Sequence, residues 1–166
     1  MEYDIAYYDF HMDFLATIKV VISYKYEKLE LSYSDSSGRD GIILSESCYD
    51  LLWDLNGIYK DFDCELLCAG LLENVYPGGL TSDTTFQVFA YQIIPSECLK
   101  RKVNIFDKID ISDIKYKSTK EKQKLNRQEV LSTYDVGAFS LDEKNLNMDN
   151  EKVKKILGHQ LGISRG

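Results

Sequence analysis

The sequence has little of the chemistry that marks a catalytic site. It contains two histidines, His11 and His159, and neither lies near the serine, cysteine or aspartate residues that would complete a nucleophilic triad. It also lacks the GxSxG elbow of hydrolases and the glycine-rich loop with Lys-Ser/Thr that cradles phosphate. We therefore expect no enzymatic activity and no cofactor.

Features of exported and membrane proteins are also missing. Residues 1–4 lack the basic and apolar regions of a signal peptide. No apolar run reaches the roughly 18–20 residues that a membrane span requires. The expected location is therefore the cytoplasm, with no membrane contact.

The cysteines follow no pattern that would mark a metal or disulfide site. The chain has four of them: Cys48, Cys64, Cys68 and Cys98. Their spacing matches no common zinc motif, and no histidine lies near the closest pair. We expect reduced, buried thiols that pack as small apolar groups, and no metal.

Charge is the most informative property that is present. Residues 1–98 hold 17 Asp/Glu against 5 Lys/Arg, a net charge of −12, whereas residues 99–166 hold 10 against 15, a net charge of +5. An acidic front of this kind attracts cationic partners and repels phosphate backbones. The basic segment 115–127 lacks interleaved aromatic residues apart from Tyr116, so we expect a solvated basic helix and no direct nucleic-acid binding.

Hydrophobic periodicity predicts an α+β fold. Alternation from Met12 to Tyr26 indicates a long strand, and the pattern continues to Tyr33 before a turn cluster at 34–41. Between Ser47 and Phe62 apolar residues recur at intervals of three and four residues, which indicates a helix. Short apolar runs at 42–44, 64–69 and 86–94 predict further strands, the run at 103–107 is an edge strand or a loop anchor, and a loop is predicted at 70–83. We predict an antiparallel sheet carrying one main amphipathic helix in a core domain, residues 1–107, followed by a basic, helical C-terminal extension, residues 108–166.

Acidic residues concentrate around the end of the predicted helix and the loop that follows. Asp61, Asp63 and Glu65 alternate with apolar residues, so they would share one face of an extended chain. Such a row of acids is a solvated edge, a docking patch for a partner or a metal site. The metal site is the least favoured of the three, because loops that bind hard cations need more oxygen ligands in a compact turn and a glycine that bends the chain. Aromatic residues such as tyrosine are enriched at binding hot spots. The predicted partner-binding residues are Asp61, Asp63, Glu65, Glu73, Tyr76 and Asp83.

A stretch within residues 65–107 resembles a family of small bacterial proteins. The shared pattern reads Leu-Cys-x-Gly at 67–70, Val-Tyr-Pro-x-Gly at 75–79, Ala-Tyr at 90–91 and Val-x-Ile-Phe-Asp at 103–107. The chain departs from it at Ala69, Gly78 and Leu80, and a Gly-rich run of the family is replaced at 84–87. The family resembled is that of immunity proteins of contact-dependent and polymorphic toxin systems.

This resemblance, together with the acidic front, implies a cytoplasmic immunity protein that binds and neutralises a toxin domain. The toxin is expected to be basic, as nucleases are, because complementary fields speed association and add specificity. Two alternatives stay open: a small enzyme or ligand-binding protein that uses the loop at 70–83, and a regulatory adaptor that recruits a partner through its basic extension.

Overall fold

The computed structural model describes residues 1–77 and 88–142, and it confirms a mixed α+β fold. Within those residues the strands form a five-stranded sheet in the order β4-β3-β2-β1-β5 and a four-stranded sheet in the order β6-β7-β8-β9. The first sheet comprises β1 (Glu2–Asp9), β2 (Phe14–Lys25), β3 (Lys28–Asp35), β4 (Asp40–Ser45) and β5 (Cys64–Leu66). The second comprises β6 (Val75–Pro77), β7 (Phe89–Ile94), β8 (Leu99–Asn104) and β9 (Ser140–Asp142). The helices are α1 (Cys48–Lys60) and α2 (Lys120–Thr133), with 3-10 turns at Ala69–Leu71, Pro95–Glu97, Ile111–Tyr116 and Val136–Ala138.

The five-stranded sheet is antiparallel throughout, as the alternation predicts. Ile18, Val20 and Ile22 of β2 point to the buried face, and the residues between them are exposed on the other face. β1 was not predicted as a strand, yet it pairs with β2 along its whole length, from Glu2↔Val21 to Asp9↔Phe14. The sheet therefore has one covered face and one open face.

Helix α1 covers the inner face of this sheet. The Ser47 side chain accepts a hydrogen bond from the backbone N–H of Asp50 at 3.1 Å, which caps the first turn. The apolar stripe of the helix is buried, and it consists of Cys48, Leu51, Leu52, Leu55 and Tyr59. This stripe and the inner face of the sheet share one hydrophobic core.

The second sheet is the main feature absent from the sequence prediction. The predicted loop at 70–83 begins with a 3-10 turn and then contributes β6, whereas β9 comes from the C-terminal extension and runs parallel to β8. Gly70, in the 3-10 turn after β5, lies against the residue that follows β8, because its N–H donates to the carbonyl of Ile105 at 2.9 Å. A Cβ on Gly70 would lie 2.7 Å from Ile105 Cβ and 2.8 Å from Leu52 Cδ2, so the approach requires glycine.

The first part of the C-terminal extension packs against the core. Gln123 of α2 is 1% exposed, and its Nε2 donates to the carbonyls of Gly70 and Leu72 at 2.9 and 2.8 Å. The predicted helix at 115–127 is thus found at Lys120–Thr133, while residues 143–166 of the predicted helical extension lie outside the described residues. The domain boundary at residue 107 stays a prediction. In the described part of the chain, no helix combines the length and apolarity needed to cross a membrane.

Candidate partner-binding surface

Two turns meet at one end of the five-stranded sheet. The first, residues 10–13, joins β1 to β2, and the second, residues 61–63, joins α1 to β5. The backbone N–H of Phe10 donates to the carbonyl of Asp63 at 3.1 Å, which holds the turns side by side. Asp61 and Asp63, both predicted as partner-binding residues, are exposed here.

Large apolar side chains are exposed at the same two turns. Phe10 is 49%, Met12 65% and Phe62 47% exposed. Single exposed apolar residues are ordinary, but aromatic and methionine side chains grouped together are typical of protein interfaces. We call this group the loop-end surface, and it consists of Phe10, Met12, Asp13, Asp61, Phe62 and Asp63.

A buried polar cluster beneath the loop-end surface fixes the backbone of the first turn. Asp9 Oδ1 accepts hydrogen bonds from the N–H groups of His11 and Met12, each at 2.9 Å. The Met12 N–H is the main reason that the pKa of Asp9 is lowered, and the His11 N–H and the Arg39 charge act in the same direction. The carboxylate of Asp9 therefore stays ionised and holds the turn in one conformation.

Arg39 links this carboxylate to a second one. Its guanidinium lies 3.7 Å from Asp9 Oδ2 and 3.6 Å from Asp35 Oδ2, and the Asp35 side chain is fully buried. Tyr59 of α1 donates its hydroxyl to Asp35 at 2.6 Å, and burial together with that hydrogen bond raises the pKa of Tyr59. The guanidinium also lies 4.7 Å from the centre of the Phe62 ring. One cation thus connects the turn that precedes β4, the end of β1 and the loop-end surface.

Glu65 was predicted as a partner-binding residue, but it is engaged within the protein. Its carboxylate accepts a hydrogen bond from Lys117, which also donates to Asn56 Oδ1 at 2.9 Å, and Lys60 lies 3.9 Å away. Burial lowers the pKa of Lys117, and the Glu65 carboxylate opposes that shift. Glu65 therefore attaches the C-terminal extension to the core.

Tyr76 was expected to offer its ring to a partner, and the structure corrects that expectation. The side chain is 4% exposed, and its hydroxyl accepts a hydrogen bond from Asn126 of α2. Burial raises the pKa of Tyr76 to about 12. A ring that α2 covers is part of the packing between β6 and the extension and is not a surface anchor.

The remaining predicted residues lie apart from the loop-end surface. Glu73 is exposed in the turn before β6, and its N–H donates to the carbonyl of Tyr116 at 2.9 Å. Asp83 lies outside the described residues. The predicted acidic edge is therefore divided, with Asp61 and Asp63 on the loop-end surface and Glu73 beside the extension.

Glu73 lies at the rim of a cleft between the second sheet and residues 107–116. The cleft has a volume of about 930 Å³. Its charged lining residues are Glu73, Arg101, Asp107, Lys108, Asp110 and Asp113. Two of these carboxylates support local turns, since Asp107 accepts from the N–H of Asn104 at 3.1 Å and Asp110 from that of Ser112 at 2.9 Å. Burial raises the pKa of Asp107.

Three of the four cysteines are buried, as expected, but Cys98 is exposed. Burial raises the pKa of Cys48 and Cys64 to about 11 and that of Cys68 to about 12. Cys98 ends the 3-10 turn Pro95–Glu97 in a left-handed conformation, with φ of 50°. The buried thiols act as small apolar groups at neutral pH, and the exposed one is accessible.

The sequence prediction missed Phe10, Met12 and Arg39 as parts of this region. Little in the sequence marks the turn at 10–13, because the period of β1 is obscured and no glycine or proline is present there. Comparison with models of known protein families and with curated proteins gave no match to this chain. The arrangement of side chains is therefore the basis for assigning a function.

Proposed function

We propose that this protein is a cytoplasmic immunity protein that binds and neutralises a basic toxin domain. A nuclease is the kind of toxin that this proposal favours. The observation that carries the proposal is the loop-end surface, where three exposed carboxylates lie on the same two adjoining turns as three exposed apolar side chains. Nuclease domains hold phosphate and are therefore basic, so an acidic inhibitor gains association rate and specificity. The net charge of −12 on residues 1–98 adds a field of the same sign at longer range.

The rigidity of the loop-end surface also supports binding. Asp9 holds the first turn through two backbone hydrogen bonds, and the Phe10–Asp63 hydrogen bond joins it to the second. Arg39 supports the Phe62 ring from below. A surface that is ordered before binding loses less conformational entropy when a partner docks.

The proposal is tested with the polypeptide encoded immediately upstream, expressed as its C-terminal domain. We expect Asp61→Lys with Asp63→Lys to slow association at least about tenfold at low salt, because rim charges act mainly on association rate. The matched control, Glu27→Lys with Asp54→Lys, changes the net charge equally at exposed positions away from the loop-end surface. It should slow association by less than about threefold.

Two outcomes would count against this function. Equal slowing by both pairs would mean that only the overall field matters and that the loop-end surface is not the interface. Absence of binding and of toxin neutralisation by the unmodified protein would remove the immunity assignment itself. Melting temperatures of all variants, measured in parallel, show whether each remains folded.

A second candidate function, ligand binding, is favoured by the cleft. Its volume of about 930 Å³ suits a small molecule, although ligand pockets are mostly apolar and this one is lined largely by charged and amide groups. Gln92→Trp would fill the cleft from β7. If toxin neutralisation survives this change, the cleft is not the inhibitory site.

A further inference from the structure

β4 is an edge strand that lacks the usual protection against pairing. Within the described residues its only strand partner is β3, at the end of the order β4-β3-β2-β1-β5. The two strands pair regularly from Leu29↔Ser45 to Ser34↔Asp40, without a bulge. The strand also contains no proline and no lysine. Natural edges are usually blocked by such features, so this edge is suited to accept another strand.

The register identifies the backbone groups that face outward. The N–H of Asp35 donates to the carbonyl of Arg39 at 3.0 Å, so this pair is hydrogen-bonded. In antiparallel sheets hydrogen-bonded and non-hydrogen-bonded pairs alternate along the strands. The backbone groups of Gly41, Ile43 and Ser45 therefore bind β3. Those of Asp40, Ile42 and Leu44 point away from it, to the free edge.

The side chains of the same residues lie on the open face of the sheet. Ile42 is 65% and Leu44 58% exposed, and Val21 of β2, on the same face, is 42% exposed. Asp40 begins the strand and Glu46 follows it directly, and both are exposed. At every second position the edge therefore presents Asp40, Ile42, Leu44 and Glu46, which is an acid, two apolar residues and another acid.

This charge pattern discriminates between occupants. A second copy paired antiparallel about Ile43 would place Asp40 opposite Glu46 at both ends of the contact. A parallel copy would place each acid beside its own kind. Like charges directly opposite one another destabilise a strand pair, so self-pairing in these two registers is disfavoured. A strand with a basic residue at each end and apolar residues between them satisfies every position.

We infer that the free edge of β4 is the docking site for an extended strand of a basic partner protein, which reads basic, apolar, apolar, basic at alternate positions. The inference rests on the proposed function and names the element of the toxin that is recognised. Strand addition supplies affinity through the backbone and specificity through alternate side chains. The edge is continuous with the loop-end surface, because Asp40 follows Arg39, whose guanidinium contacts the Phe62 ring.

The test uses the full chain and a labelled synthetic peptide, Lys-Thr-Ile-Thr-Val-Thr-Lys. Its control is the charge-reversed Glu-Thr-Ile-Thr-Val-Thr-Glu. We expect the basic peptide to bind at least about tenfold more tightly at about 50 mM salt, and the difference to shrink at about 500 mM. Equal affinities, or no binding of the basic peptide, would overturn the inference.

A backbone variant locates the peptide on β4. Ile42→Pro removes an N–H that faces the free edge and that β3 does not use, and edge strands tolerate proline at such positions. We expect the peptide affinity to fall at least about tenfold, whereas Ile42→Val, which keeps the N–H, should stay within about twofold. If Ile42→Pro does not fold, Leu44→Lys decides the question, because an exposed lysine there repels the basic peptide. Unchanged binding by the folded variant would refute the site.

Parallel measurements separate this inference from the proposed function. If the peptide fails while Asp61→Lys with Asp63→Lys still slows toxin association, the edge inference falls and the immunity function stands. If the toxin domain does not bind the unmodified protein, the immunity function falls. A concentration-dependent dimer that Ile42→Pro abolishes would identify a second copy as the occupant and would overturn the inference.

Discussion

Lys117 is the residue whose removal should most clearly loosen the C-terminal extension from the core. Its side chain is 6% exposed and donates to the carboxylate of Glu65 and to Asn56 Oδ1. Lys117→Met keeps most of the aliphatic stem and removes the charge. The variant therefore tests the polar contacts without opening a large cavity.

The expected loss follows from the two partners that Lys117 leaves behind. A hydrogen bond to a charged group contributes about 1.5–3 kcal/mol, and a buried acceptor without a partner costs about 1–3 kcal/mol. Asn56 is 3% exposed and would lose this partner in full. Glu65 is 22% exposed and keeps Lys60 at 3.9 Å, so its cost is at the lower end. We expect Lys117→Met to lower the free energy of unfolding by about 3 kcal/mol.

Urea unfolding at neutral pH measures this loss, and a double-mutant cycle with Glu65→Gln isolates the pair. The coupling between the two residues should reach about 1–2 kcal/mol. The matched control is Lys120→Met, which breaks the exposed pair with Asp50, whose side chains are 48% and 35% exposed. That change should cost less than about 0.5 kcal/mol. A coupling below about 0.5 kcal/mol, or equal losses at Lys117 and Lys120, would refute the reasoning.

Two further predictions concern the side chains of Asp9 and of the cysteines. Because the folded state lowers the pKa of Asp9 below its usual 3.8, this carboxylate stabilises the fold above that pH and loses its contribution as pH falls through the folded value. The stability difference between the unmodified protein and Asp9→Asn should therefore be largest at about pH 6 and smaller at about pH 3, and a difference independent of pH would contradict the assignment. Second, a thiol reagent should label Cys98 rapidly and the three buried cysteines only on unfolding. Rapid labelling of Cys68 would show that its surroundings open readily.

The sequence predicted the elements with long, regular patterns. The alternation of β2 and the stripe of α1 extend over 12 and 13 residues, and both were recognised. β1 was missed because Ala6 and Tyr8 of its outer face are also apolar or aromatic, which obscures the period of two. β5 was predicted from the apolar run at 64–69, whereas β6 and β9, of three residues each, are too short for any period.

The candidate site was predicted where it depends on neighbours in the chain and missed where it depends on distant ones. Asp61 and Asp63 follow the end of a helix whose position the sequence indicates, so their exposure could be expected. Tyr76 and Glu65 are covered or paired by residues about fifty positions later in the chain. Spacing carries no signal for such contacts, because the packing of the extension determines them.

Part of the acidic front is compensated by ion pairs inside the protein, and in the described part of the chain the carboxylates of the proposed binding regions are not among the paired ones. Asp9 and Asp35 share Arg39, while Glu65 and Asp50 hold lysines of the extension. Among the described residues, no ion pair involves the carboxylates of the loop-end surface or those that flank the free edge of β4: Asp13, Asp61, Asp63, Asp40 and Glu46. The turn at 35–39 connects these two groups, since Arg39 contacts Phe62 and precedes Asp40. A basic partner that adds a strand to β4 would therefore extend over the loop-end surface, where its remaining cations meet carboxylates that form no ion pair among the described residues.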